Sequence, residues 1–182
     1  MRYWMDSEFI ENGTTIDLIS IGIVAEDDRE FYAINWDCDL SKANDWVKEN
    51  VISQLPNRDH PAWQTKDAIA FGVMAFLKQE DERELYHHTF QSLKALEVKE
   101  KPEIWGHYCD YDWVVFCQMF GAMVDLPKGF PMYCRDIKQW CDYLGNPKLP
   151  EQGKGEHDAI ADARWNKQAW EFLNTYEKKI GL

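Results

Sequence analysis

Asn12-Gly13 lies between two runs of strand-forming residues, and no other short feature restricts the folding of this chain as strongly. A two-residue hairpin loop needs positive φ at its centre, which Asn and Gly tolerate, and its twist matches that of the flanking strands. Residues Arg2 to Phe9 alternate polar and apolar side chains, and Thr15 to Ala25 follow the turn. The first two strands are therefore expected to pair antiparallel. A second turn at Asp27-Asp28 leads into Phe31-Tyr32-Ala33-Ile34-Asn35-Trp36, rich in β-formers, so the chain opens with a three-stranded antiparallel meander.

Helical signals begin at Ser41. Ser41 is expected to cap a short helix to about Val51, Pro56 to Pro61 to form a loop, and Thr65 to cap a stronger helix from Asp67 to about Gln79. Lys78 to Lys101 mixes charges densely around Tyr86-His87-His88 and Phe90, which suits a solvated helical excursion. Glu103 to His107 reads as a buried strand, and Tyr111 to Phe120 as an apolar helix ended at Gly121. Met132 to Arg135 is expected to be a last short strand, Asp136 to Leu144 a helix stopped by Gly145-Asn146-Pro147, and Asp158 to about Lys178 the closing helix. This order predicts an α/β chain in which a mixed sheet, the meander plus parallel strands, carries helices on its faces. A length of 182 residues with 45% hydrophobic composition fits a single domain spanning residues 1–182.

A net charge of −12 argues against a broad basic face that grips nucleic acid nonspecifically. The objection weakens where carboxylates are gathered around divalent cations, because bound metal reverses the local charge and itself receives a phosphate. Cys38, Cys109, Cys117, Cys134 and Cys141 are scattered without a C-x-x-C pair, so neither a disulfide framework nor a structural zinc site is indicated. His87-His88 and His107-x-Cys109 also lack paired ligands at zinc spacing. There is no run of about 18 uncharged apolar residues, and Met1 to Asp6 reads straight into a strand. The expectation is a soluble, cytoplasmic protein with reduced thiols and no membrane association.

Three short segments carry chemistry. In Asp6-Ser7-Glu8, residues two apart on a strand project from one face, and two carboxylates so close are costly unless a cation sits between them. Hard oxygen ligands suit Mg²⁺ or Mn²⁺. Taken alone the pair also fits a solvated strand end, but Trp4, Met5, Phe9 and Ile10 imply a buried strand. Gly106-His107-Tyr108-Cys109-Asp110-Tyr111-Asp112 places carboxylates where a buried strand hands over to an apolar helix, a position that equally suits a helix N-cap. His157-Asp158-Ala159-Ile160-Ala161-Asp162-Ala163-Arg164 opens the last helix after Gly153-Lys154-Gly155. Asp158 is the natural N-cap, leaving His157 free before the helix, with Asp162 in its second turn and small residues allowing close approach to the sheet.

Asp6-x-Glu8, then Gly-His-x-x-x-Tyr-Asp ending at Asp112, then His157-x-x-x-x-Asp162, resemble the three exonuclease motifs of the DEDDh family, to which ribonuclease T, oligoribonuclease and proofreading subunits belong. Within it, Asp6-Ser7-Glu8-Phe9-Ile10-Glu11 and Leu18-Ile19-Ser20-Ile21-Gly22-Ile23-Val24-Ala25-Glu26 are most similar to the small adenylate-preferring 3′-to-5′ exoribonucleases. The similarity is dense over Met1 to Trp36, Trp105 to Gly121 and His157 to Arg164. Two departures stand out: Tyr108 where many members have Asn, and a long segment from Lys78 to Lys101.

The resemblance implies an RNase H-like fold, frequent homodimers, and two divalent ions, Mg²⁺ or Mn²⁺, held by Asp6, Glu8, Asp112 and Asp162. It further implies His157 as general base and Glu8 beside the terminal ribose. The implied substrate is an RNA 3′ end, single-stranded or overhanging, cut to nucleoside 5′-monophosphates. Phe9 is a candidate to stack on the terminal base, Ser20 and Ile21 to line the same pocket, and Trp105 and Tyr108 to contact substrate. Phe9 fits an ordinary core position equally well; Trp36 and Trp105 offer stacking platforms, although aromatics at strand positions are more often core. Arg135, Lys138, Lys148, Lys154 and Arg164 are the basic candidates for steering RNA. A DNA exonuclease and a silent nucleic-acid-binding module on the same fold are the alternatives, since the motifs do not report on the 2′ hydroxyl.

Overall fold

The computed structural model describes residues 1–80, 84–153 and 155–181. Strands β1 (Arg2–Glu11), β2 (Ile16–Ala25) and β3 (Glu30–Asn35) form the expected meander, but the first turn is a four-residue loop, residues 12–15, with positive φ at Gly13 and not at Asn12, whose side chain accepts from Thr14 and Thr15. A register shift between Glu8 and Phe9 marks a bulge that turns successive side chains off the simple alternation. After a 3-10 turn at Leu40–Lys42 comes α1 (Asp45–Asn50), and Asn44 rather than Ser41 caps it, its side chain accepting from Val47. Ser41 instead donates to Asp39 within the preceding turn, so the expected helix is split in two.

A two-residue strand that sequence pattern does not mark, β4 (Trp63–Gln64), precedes α2 (Lys66–Lys78), which Thr65 caps as expected. The segment that follows holds a 3-10 turn at Leu85–His87 and α3 (Phe90–Ala95). It is less solvated than its charge suggests. Lys78 is fully buried and donates to the carbonyls of Leu96 and Lys128, and burial lowers its pKa. The lysine thus clamps this excursion against the body of the fold.

Strand β5 (Glu103–Gly106) and α4 (Asp110–Gln118) follow, then β6 (Arg135–Asp136), which lies slightly later than the expected Met132 to Arg135. Helices α5 (Ile137–Tyr143) and α6 (Ala159–Ile180) close the chain. The six strands run β4-β3-β2-β1-β5-β6, with β1–β2 and β2–β3 antiparallel and β3–β4, β1–β5 and β5–β6 parallel. This mixed sheet with helices on both faces has the RNase H-like architecture. One core, including Tyr3, Met5, Ile21 and Phe116, lies against α2 and α4; another joins Trp4 to Trp170 and Leu173 of α6. Among the described residues no helix is long and apolar enough to cross a membrane.

Candidate active site

Strand β1 runs through the middle of the sheet, and its pairing sets the site. Asp6 lies opposite Gly22 and Glu8 opposite Ser20, so both carboxylates project from the face that α6 covers. The approach of that helix depends on Gly22: a Cβ there would sit 2.3 Å from the Ala159 carbonyl oxygen. The alanines of α6 are only half of the device, because the sheet must also present a bare backbone. Asn166, buried one turn beyond Asp162, donates to the Met5 carbonyl at 2.9 Å and ties α6 to the strand beside Asp6.

Asp158 caps α6, accepting from Ile160, which leaves His157 outside the helix with φ at +67°. A non-glycine residue keeps such a backbone only where its surroundings hold it. Here the His157 N–H donates to Oδ2 of Asp162 at 2.9 Å, the Gln152 amide donates to Oδ1, and the imidazole meets the Trp46 ring edge-on at 4.8 Å. Gln54 adds a bond to the Glu156 carbonyl at 2.8 Å. The loop that carries His157 is thus fastened on one side to Asp162 and on the other to the segment around α1.

Asp112 lies in the first turn of α4, where a negative charge is favoured by the helix dipole. It does not cap that helix. Asp136, in β6, caps α5 by accepting from Gln139 and with its other oxygen holds the Cys109 N–H just before α4. Asp112 is released to accept from both the N–H and the hydroxyl of Ser7.

Ligand atoms of Glu8, His157 and Asp162 all lie within 4.8 Å of one another, and Asp6 lines the same cavity with His107, Gln152, Glu156, His157, Asp162, Trp165 and Asn166. Burial raises the Asp6 pKa well above the carboxylate range, and the charges of Asp112, Asp162 and Glu8 add to the rise. Glu8 is pushed to about 8 by burial and then by Asp162 and Asp112. Asp112 is raised to about 6 by burial, against the lowering effect of the Ser7 bonds. Asp162 is also raised by burial, opposed by its bonds from His157 and Gln152. Buried carboxylates, of which Asp6 and Glu8 are further raised by the charges of their neighbours, with Asp6, Glu8 and Asp162 offering oxygen atoms around His157, fit a divalent cation.

The candidate substrate residues separate. Phe9 is half-buried against Tyr111, at 5.9 Å, and Tyr108 is 65% exposed beside His107 with φ at +54°. Ser20 is buried in the row of Glu8, its hydroxyl without a partner. Two other candidates sit in packed surroundings. Ile21 points away from Glu8 into the core, fully buried, with no surface to offer a ligand. Trp105, half-buried, packs beside Trp140 and Trp170 at 5.3 and 6.1 Å. The basic candidates are spoken for as well: Arg135 pairs with Glu103, Lys138 with Asp142, Lys148 with Glu151 and Arg164 with Glu30. Lys154 lies outside the described residues.

Sequence reasoning missed Ser7, Gly22, Trp46, His107, Gln152 and Asn166 as parts of this site. Only Asn166 carried a local signal, since four residues after Asp162 it shares that face of the helix.

Residues 1–174 match the family model described as a 3′-5′ exoribonuclease Rv2179c-like domain. Two curated relatives from Mycobacterium tuberculosis, 3′-5′ exoribonuclease Rv2179c of strain H37Rv and 3′-5′ exoribonuclease MT2234.1 of strain CDC 1551, are each 35% identical over 164 residues, covering 90% of this chain and 88% of the relative. The chain therefore belongs to the Rv2179c-like 3′-5′ exoribonuclease domain family.

Proposed function

We propose that this chain is a metal-dependent 3′-to-5′ exoribonuclease of the DEDDh type, working as one domain and in homodimeric form. The observation that carries the reading is the grouping of Glu8 and Asp162 with His157, all within 4.8 Å, with Asp6 in the same cavity and Asp112 close enough for its charge to raise Asp6 and Glu8. The curated relatives' names support RNA as substrate.

Asp6, Glu8, Asp112 and Asp162 would hold two divalent ions, Mg²⁺ or Mn²⁺. Such ions neutralise charge on a phosphate and make bound water acidic enough to attack at neutral pH. His157 takes the proton of the attacking water, a task that suits an imidazole within reach of the metal-held water. Its orientation comes from the bond to Asp162 and the contact with Trp46. Ser7 keeps Asp112 ionised by donating two hydrogen bonds to it. Phe9, half-buried, and Tyr108, exposed, would contact the last nucleotides.

The test is a time course on matched RNA and DNA oligonucleotides carrying a 3′ label, with Mg²⁺, Mn²⁺ or EDTA. Release of labelled nucleoside 5′-monophosphate from RNA, faster than from DNA and abolished by EDTA, is expected. Hydrolysis that survives EDTA would remove the metal mechanism, and faster DNA cleavage would make the chain a DNA exonuclease.

A further inference from the structure

Trp36, Arg58 and Trp63 form a stacked cluster on the same end of the sheet as the carboxylates. The Arg58 guanidinium lies 4.0 Å from the Trp63 ring centroid and 5.0 Å from that of Trp36, and the two indoles meet edge-on at 6.0 Å. Backbone and side-chain bonds hold the frame: Trp36 N–H to the Gln64 carbonyl at 2.8 Å, and the Trp63 indole N–H to the Pro56 carbonyl at 3.0 Å. Trp36 nevertheless leaves 49% of its surface in solvent, and Arg58 is exposed.

Charge marks this cluster out. Arg2, Arg29, Arg135 and Arg164 are each paired with a carboxylate, whereas among the described residues Arg58 has none within ion-pair distance. In a chain of net charge −12, that leaves one stacked guanidinium open to an incoming anion. Its position relative to the carboxylates follows from the sheet register. Glu8 pairs with Ser20, Ser20 with Ile34 and Ile34 with Trp63, so Glu8 and Trp63 share one row and one face. Three inter-strand steps of about 4.8 Å put their backbones roughly 14 Å apart.

We propose that Trp36, Arg58 and Trp63 form an upstream subsite that holds a base and an adjoining phosphate of single-stranded RNA whose 3′ end lies at the carboxylates. The proposal rests on the reading of this chain as an exoribonuclease. An exposed indole offers a stacking face to any base, and a guanidinium already stacked on two rings offers a phosphate two parallel donors with little further ordering. The separation corresponds to no more than about four nucleotides even at the stacked spacing of about 3.4 Å. A dinucleotide bound at the carboxylates therefore does not reach the cluster, and an octanucleotide does.

The experiment uses the full chain and its Arg58→Ala, Arg58→Lys and Trp36→Ala variants with Mn²⁺. It compares kcat/KM on a diribonucleotide and on an octaribonucleotide. The preference for the longer substrate is expected to fall about tenfold in Arg58→Ala and Trp36→Ala, through KM, with partial retention in Arg58→Lys. An unchanged length preference, or equal loss on both substrates as in a cluster that merely closes the loop before β4, would overturn the subsite. Fluorescence anisotropy of a 5′-labelled octaribonucleotide, with Ca²⁺ in place of Mn²⁺, gives a readout independent of turnover. Equal affinity of wild type and Arg58→Ala would again overturn the subsite, whereas absence of RNA hydrolysis by the wild-type chain overturns the exoribonuclease reading instead.

Discussion

The main-chain N–H and the hydroxyl of Ser7 both donate to the same oxygen of Asp112, at 2.8 and 2.7 Å, across 105 positions of sequence. These bonds favour the ionised carboxylate and oppose the burial that raises Asp112 to about 6. Ser7→Ala removes one of them. The Asp112 pKa rises further, so the variant should lose Mn²⁺ affinity several-fold at pH 6 and progressively less toward pH 8, where the carboxylate is ionised in both proteins. Titration calorimetry across that range checks it; a loss independent of pH would mean that the hydroxyl acts through packing alone.

The pH dependence of stability in EDTA follows from the same carboxylates. Glu8, at about 8 in the fold, and Asp112, at about 6, both sit above their ordinary values, as do Asp6 and Asp162. Between the ordinary carboxylate range and about pH 8 the folded chain therefore binds more protons than the unfolded chain, and stability falls as pH rises. Thermal melts in EDTA should show a midpoint several degrees lower at pH 8 than at pH 6. Mn²⁺ should flatten this slope, because a cation replaces the protons. A flat profile without metal would show that the four carboxylates do not burden one another.

Gly22→Ala tests the contact between sheet and helix. The added Cβ would sit 2.3 Å from the Ala159 carbonyl oxygen and 2.5 Å from the Ile160 Cα, backbone atoms that cannot turn aside. Forced shifts of this kind typically cost about 1–3 kcal/mol. The displaced first turn of α6 carries Asp162, so metal affinity should fall together with the urea midpoint. Full stability with full Mn²⁺ affinity would mean that α6 slides freely on β2.

Replacement of His157 by Ala should leave Mn²⁺ affinity within a few-fold of wild type while reducing kcat about 10²- to 10⁴-fold, the usual contribution of a general base. On the proposed mechanism the four carboxylates would hold the metal and the imidazole would serve the water. Single-turnover hydrolysis of a 3′-labelled RNA measures the rate; an unchanged rate would take His157 out of the chemistry.

What was legible in the sequence is what neighbouring residues decide. Asn12-Gly13 specified the hairpin, strand alternation set Asp6 and Glu8 on one face, and Thr65 and Asp158 announced the starts of α2 and α6. Each depends on turn chemistry, capping or a two-residue period, acting within a few positions. The motif residues could be named for the same reason, although their spatial relations could not.

Tertiary structure alone decided the rest. Only folding put Ser7 on Asp112, Gln152 on Asp162 and Trp46 on His157, and it buried Lys78 beneath two carbonyls. It also took Arg135 and Arg164 out of the basic set by pairing them with Glu103 and Glu30, leaving Arg58 beside two indoles. These contacts depend on how helices seat against a sheet, as at Gly22, where one missing side chain sets the distance between Asp6 and α6. Periodicity reports which face of an element is buried; the partner it meets there is fixed by close packing with segments distant in the chain.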